Sequence, residues 1–209
     1  AEGEFTVWVR AESGRHYAIG ADVAEGLENG DYSSADILNE QGEQVAHWHG
    51  HVDPDRYGEL LYYLGKRYND AYVGVERNNH GLTTLTALQK KGYPNLHIEE
   101  DVQRQGGEKS MKRIGWLTTS KTKPLIIDNL ASELRDGTSG IRNKNTVDEA
   151  QSYVIHENGS YGAQSGKYDD RVMSYAIAKE MVKRMPKIYI PDHIINDAFH
   201  APSDTTVGY

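Results

Sequence analysis

Residues 16–24 read HYAIGADVA, and residues 71–76 read AYVGVE. Each is a short apolar run that reaches an acidic residue near its end, Asp22 in the first and Glu76 in the second. The first reads as a buried strand closing in a polar turn, the second as a short buried strand. How these two runs pair decides the fold. Between them, GLENGDYSS (26–34) has turn chemistry, and ADILNEQGEQVAHWHGHV (35–52) reads as a hairpin turning at 39–42. Asp53-Pro54 then opens a helix to about Asn69, with Tyr57, Leu60, Leu61 and Leu64 on one face.

Beyond the second run, a helix is expected from about Gly81 to Lys91, stopped by Gly92 and Pro94. NLHIEE (95–100) reads as another strand. Thr122-Lys123-Pro124 opens a helix through about Arg135, closed by Gly137. EAQSYVIHENGSYGAQ (149–164) reads as a hairpin around Asn158-Gly159. A last helix starts at GKYDDRVMSYAIA (166–178) and runs to about Met185, and the tail from 187 to 209 reads as a packed extension. The order is three strands, helix, strand, helix, strand, helix, hairpin, helix. It predicts an α/β protein with a central mixed five-stranded sheet flanked by helices, plus an added β-hairpin. This is the element order of the ribonuclease H-like fold.

The chain has 209 residues, 37% hydrophobic and 26% charged, which suits a single domain with its core at about 16–186. There are no cysteines, which excludes disulfides and thiolate metal sites. No apolar run approaches a membrane span, and the start at Ala1 reads as a piece of a longer chain. The net charge of −8 argues against a broadly basic nucleic-acid binder. Positive charge is nonetheless local: Arg104, Lys109, Lys112, Arg113, Lys121 and Lys123 stand against Glu108 alone.

In a sheet of this order the first and fourth strands lie parallel and adjacent, so Asp22 and Glu76 reach the same edge. Functional groups of α/β sheets gather at that edge. A last helix crossing the sheet with its N-terminus there adds Asp169 and Asp170. Alone, that Asp pair reads as a helix start, since Asp is a favoured N-cap and suits the helix dipole. Together, clustered carboxylates need a proton or a cation. Oxygen ligands favour a hard ion, Mg²⁺ or Mn²⁺, and two such ions about 3.5–4 Å apart suit phosphodiester hydrolysis. The sequence leaves open which of the two is the direct ligand or whether both share the ions, with a slight lean to Asp170, deeper in the first turn, as ligand and Asp169 as cap.

Four segments in order, GADVAEG…GDYSSADIL, VGVERNNHG, IGWLTTSKTKPLIIDNLASELRDG and GKYDDRVMSYAIA, resemble the C-terminal nuclease domain of the large terminase subunit of tailed bacteriophages. The resemblance runs from about Tyr17 to Met185. It implies a ribonuclease H-like, divalent-metal-dependent endonuclease that cuts concatemeric double-stranded viral DNA during genome packaging. Asp22, Glu76 and one or both of Asp169 and Asp170 would be the metal ligands and catalytic carboxylates. The packaging ATPase of the same full-length subunit, the small terminase subunit and the portal are the implied partners, in the host cell cytoplasm. GAQSGKY (162–168) misses the phosphate-loop pattern of such an ATPase by one residue of spacing, with Tyr in place of Ser or Thr. The ATPase domain is therefore expected to be absent.

Lys121, Lys123, Arg142 and Lys144 flank these motifs and are candidates for contact with DNA phosphates. His47, His49 and His51 share one face of a strand, which is read as an exposed sheet face rather than a metal site. Tyr57, Tyr62, Tyr63, Tyr72, Trp116 and Tyr175 are read as core rather than as base-stacking platforms. Two alternatives remain open: a resolvase- or transposase-like nuclease of the same fold, and a non-catalytic DNA-docking or motor-assembly module.

Overall fold

The computed structural model describes residues 2–25, 30–102, 110–157 and 159–186, without the side chains of 100–102 and 110–111. The expected extension at 187–209, the centre of the basic run and Asn158 of the second hairpin lie outside the described residues. Five strands, β1 (Glu2–Val7), β2 (Tyr17–Asp22), β3 (Ser33–Asn39), β4 (Gln44–His51) and β5 (Tyr72–Val75), form a sheet in the order β1-β4-β3-β2-β5. Among the described residues its only parallel strand pair is the one the sequence predicts: Ala18 of β2 lies opposite Tyr72 of β5, and Ala21 opposite Val75. Glu76 extends the pairing, its N–H donating to the Ala21 carbonyl at 2.8 Å.

Helices cover both faces. Tyr57, Leu61 and Leu64 of α1 (Pro54–Arg67) and Leu85 and Leu88 of α2 (Asn79–Lys90) pack with Ile19, Ala21, Ile37, Trp48 and Val73 from one face of the sheet. The other face carries Ala18, Leu38 and Tyr72 against Ile126 and Leu130 of α3 (Thr122–Arg135) and Tyr175, Ile177 and Met181 of α5 (Asp170–Arg184). Both groups follow the period-2 alternation of half-buried strands. Glycines set the closeness of α5 to the sheet. A Cβ on Gly20 of β2 would run into the backbone of Ser174 and Ala178, and one on Gly74 of β5 into the Met181 side chain.

The strands that make up the five differ from those expected. β1 completes the central sheet by pairing with β4, Glu2 opposite His51 and Val7 opposite Ala46. Its sequence EGEFTV lacks an alternating apolar pattern, because it is an edge strand exposed over most of its length. Residues 95–100, expected in that sheet, instead lead into β6 (Ile98–Val102), which pairs with β7 (Ser110–Ile114) as a separate hairpin. Only single bridges, Val73 to Leu96 and Glu76 to Trp116, tie this arm to β5. A short helix, α4 (Lys144–Gln151), occupies part of what read as hairpin. The added hairpin itself is present as β8 (Tyr153–Ile155) and β9 (Tyr161–Ala163). Among the described residues, no helix is long and apolar enough to cross a membrane.

Candidate active site

The carboxyl ends of β2 and β5 bring Asp22 and Glu76 together. Asp22 accepts from its neighbour's N–H (Val23, 2.9 Å), and its carboxyl is pushed well above the usual aspartate range. Burial is the main cause; repulsion from Glu76, a hydrogen bond shared with it, and the charges of Asp170 and Asp169 add to it. All four predicted carboxylates thus converge in one field at one sheet edge.

The Asp pair divides. Asp169 occupies the N-cap position of α5, yet its side chain makes no capping hydrogen bond. Its Oδ2 instead meets Lys123 Nζ at 3.5 Å, so the expectation that Asp169 serves as the cap gives way to an ion pair. Asp170 is buried (6% exposed). Its pKa is raised to about 7, first by burial and then by Glu149, Asp169 and Asp31, against a hydrogen bond from the Tyr32 N–H. Its Oδ2 is buried without a hydrogen-bond partner. A carboxylate oxygen left bare in that setting costs free energy unless the group is protonated or faces a cation.

Lys123 reaches the site through the GWLTTSKTKP segment. Trp116 is bridged to Glu76. The loop then folds on its threonines: Thr119 Oγ1 accepts from the N–H groups of Lys121 and Thr122, and Thr122 Oγ1 donates to the Leu117 carbonyl. These bonds close the start of α3 in place of a side-chain cap at Lys121, and Lys123 projects over the Tyr153 ring beside Asp169. The carboxylates therefore do have one cation among them, which motif residues alone did not reveal. Arg142 and Lys144 stand elsewhere. The Arg142 and Asn143 N–H groups bind Gln44 Oε1, Arg142 pairs with Glu43, and Lys144 pairs with Asp148. Gln44 begins β4 at the sheet end opposite Asp22, so these two residues are not beside the carboxylates. Lys121 is exposed at the start of α3.

The three histidines do not form an exposed face. His47 is buried against Asp36 at 2.9 Å, and Asp36 also accepts from Gln44 and Ser174. His49 is held neutral, its pKa pushed down to about 3 by burial and then by Arg171, His47 and His51. Tyr32 stacks on His49 and His51 at centroid distances of 4.4 and 4.0 Å. Arg171 bridges His49 and Glu149. This polar seam under the start of α5 anchors the helix end that carries Asp170. The sequence hinted at it only through the Arg that follows the Asp pair, because Glu149 sits on the helix read as hairpin. Of the aromatics, Tyr57, Tyr72, Trp116 and Tyr175 are core, whereas Tyr63 is 63% exposed.

The donor set is all oxygen and fits a hard divalent cation. Among the described residues, no three acidic or histidine side chains are drawn close enough to enclose an ion as they stand. The buried, unpartnered Asp170 Oδ2 is the atom of the set that fits one.

No protein-family model matches the chain, and no curated protein matches it. Solved structures do. The large terminase nuclease from thermophilic phage G20c with bound magnesium superposes with a TM-score of 0.64 at 22% identity, over 86% of this chain and 88% of that one. The same nuclease with bound cobalt gives 0.63 at 22% identity, over 86% and 88%. The Thermus phage P74-26 large terminase nuclease domain gives 0.61 at 22% identity, over 90% and 91%. The chain has the ribonuclease H-like fold of large terminase nuclease domains, the fold its sequence motifs implied.

Proposed function

We propose that the chain is a divalent-metal-dependent endonuclease that hydrolyses phosphodiester bonds of double-stranded viral DNA during genome packaging. The observation that carries this reading is the convergence of Asp22, Glu76, Asp169 and Asp170 at one sheet edge, with Asp170 Oδ2 buried and unpartnered. These four would hold Mg²⁺ or Mn²⁺, as a pair of ions. Bound there, the ions supply positive charge for the developing charge on phosphate and a water acidic enough to attack. Asp22, whose burial favours its protonated form, would give up that proton where a cation is bound and serve beside Glu76 as a ligand. Lys123 keeps Asp169 oriented and adds positive charge where a phosphate approaches. The Arg171–Glu149 pair holds the α5 terminus, and so Asp170, in place. The G20c neighbours were crystallised with magnesium and cobalt, which supports a divalent metal here. In this role the packaging ATPase, the small terminase subunit and the portal are the partners, in the host cytoplasm.

Plasmid nicking in Mn²⁺, with and without chelator, tests the proposal. Asp22→Asn is expected to lose nicking by orders of magnitude while melting no lower than wild type without metal, because it relieves crowded charge. A variant that nicks at the wild-type rate sinks the assignment. Preference for a four-way junction over linear duplex would favour a resolvase instead.

A further inference from the structure

Beside the carboxylate edge lies a second polar cleft of about 340 Å³, lined by Arg77, His97, Glu99, Arg113, Leu117 and Arg184. Among the described lining residues, Arg77, Arg113 and Arg184 are basic and Glu99 is acidic. Arg77 follows Glu76 directly. Consecutive residues of extended backbone point to opposite faces, so Arg77 is not a counterion of the Asp22–Glu76 pair. Its N–H is tied to the Trp116 carbonyl at 2.7 Å, and among the described residues its guanidinium has no ion-pair partner. Arg184, in the last turn of α5, stands 5.0 Å over the Trp116 ring and reaches Glu180 at 3.5 Å with one nitrogen. Trp116 is itself bridged to Glu76, so the cleft adjoins the strand end that carries Glu76.

A second feature of the cleft also looks for a ligand. His97 is 3% exposed, and its Nδ1 is satisfied by the Tyr72 hydroxyl at 2.8 Å. Its Nε2 has no hydrogen-bond partner, with Glu99 Oε1 at 3.8 Å. Planar guanidinium forks suit phosphate oxygens, and a chain of net charge −8 needs locally focused positive charge to hold a polyanion.

We infer that this cleft is a phosphate subsite, in which Arg77 and Arg184 grip a backbone phosphate of the DNA strand next to the one at the carboxylates. The inference rests on the nuclease reading and adds to it a grip that none of the four lysine and arginine candidates beside the motifs supplies. Phosphates succeed one another along a strand at about 3.4 Å of helical rise, so a strand lying on the carboxylates passes the cleft mouth within a few nucleotides. A contact remote from the reacting atoms binds ground state and transition state alike, and so acts on KM rather than kcat.

The test is nicking of duplex DNA in Mn²⁺ by the full chain across a range of salt. Arg77→Gln and, separately, Arg184→Gln are expected to raise KM about tenfold, with kcat within about twofold. Each should also flatten the dependence of log KM on log salt by about 0.9, the value of one lost phosphate contact. Arg77→Lys keeps the charge and should restore the slope. Arg56→Ala, an exposed arginine on α1 against the other face of the sheet, should change neither. Wild-type KM and slope in both Gln variants, with wild-type melting, would overturn the subsite and leave the nuclease reading standing. A wild-type chain that does not nick DNA at all would remove the nuclease reading and the subsite with it.

Discussion

Asp169 and Asp170 are adjacent in sequence but lie in different surroundings, and this difference can be measured. Asp169 is only partly buried and is paired with Lys123, while Asp170 is buried among Glu149, Tyr32 and its neighbour. The pKa of Asp170 rises from the ordinary 3.8 to about 7, with burial the first cause. A carboxyl with a higher pKa folded than unfolded binds its proton more tightly in the folded chain. Stability therefore falls as pH rises between those two values, by an amount on the order of 4 kcal/mol. Metal-free protein should show a declining melting temperature from about pH 4 to about pH 7. Asp170→Asn should remove the part of that decline due to Asp170, leaving the part due to Asp22, and Asp169→Asn should reduce it less, because burial rather than Asp169 is the first cause of the shift. Identical pH–melting curves for wild type and Asp170→Asn would contradict the burial argument. The presence of the pair was legible in the sequence. Which member was buried was not, because it depends on Tyr32 and Glu149, distant in the chain.

At the scale of elements, the position of α5 on the sheet decides whether the Asp pair meets Asp22 and Glu76. Two glycines allow that approach, but they differ in what they face. A methyl on Gly20 would meet backbone atoms of Ser174 and Ala178, which cannot move without moving the helix, whereas on Gly74 it would meet the end of the flexible Met181 side chain. Gly20→Ala should therefore cost about 3 kcal/mol or more in a urea titration and take nicking with it. Gly74→Ala should cost less, about 1 kcal/mol, and keep most activity. Equal effects would mean that α5 tolerates a shift along its whole length. Helices α1, α2, α3 and α5 were legible from apolar periodicity, Pro and Gly. β1 and β7 were not, because an edge strand and an arm hairpin carry no alternating apolar face, and pairing alone makes them strands.

For the whole molecule, the distribution of cations around the sheet separates neighbours in the motif pattern. Lys123 reaches the carboxylates, while Arg142 and Lys144 are held at the far end by Gln44, Glu43 and Asp148. Lys123→Ala should lower nicking in Mn²⁺ at least tenfold, through loss of both the Asp169 pair and a phosphate-facing charge. The Arg142→Ala, Lys144→Ala double variant should stay within about twofold of wild type. If the double variant loses more than Lys123→Ala, the DNA runs over the other end of the sheet.

Asp22 and Glu76 show what the sequence determined by itself. Two short buried strands, each with an acid at its carboxyl end, in the element order of the ribonuclease H-like fold that sets them parallel, already point to a carboxylate edge, since side-chain period and element order can be read along the chain. The tertiary structure alone decided what surrounds that edge. It turned Asp169 to Lys123, buried Asp170, withdrew Arg142 and Lys144, folded the three histidines into the seam beneath α5, and tied Arg77 to the Trp116 carbonyl. Those outcomes depend on contacts between residues tens of positions apart, where burial and charge are properties of the packed neighbourhood and have no periodicity in the chain.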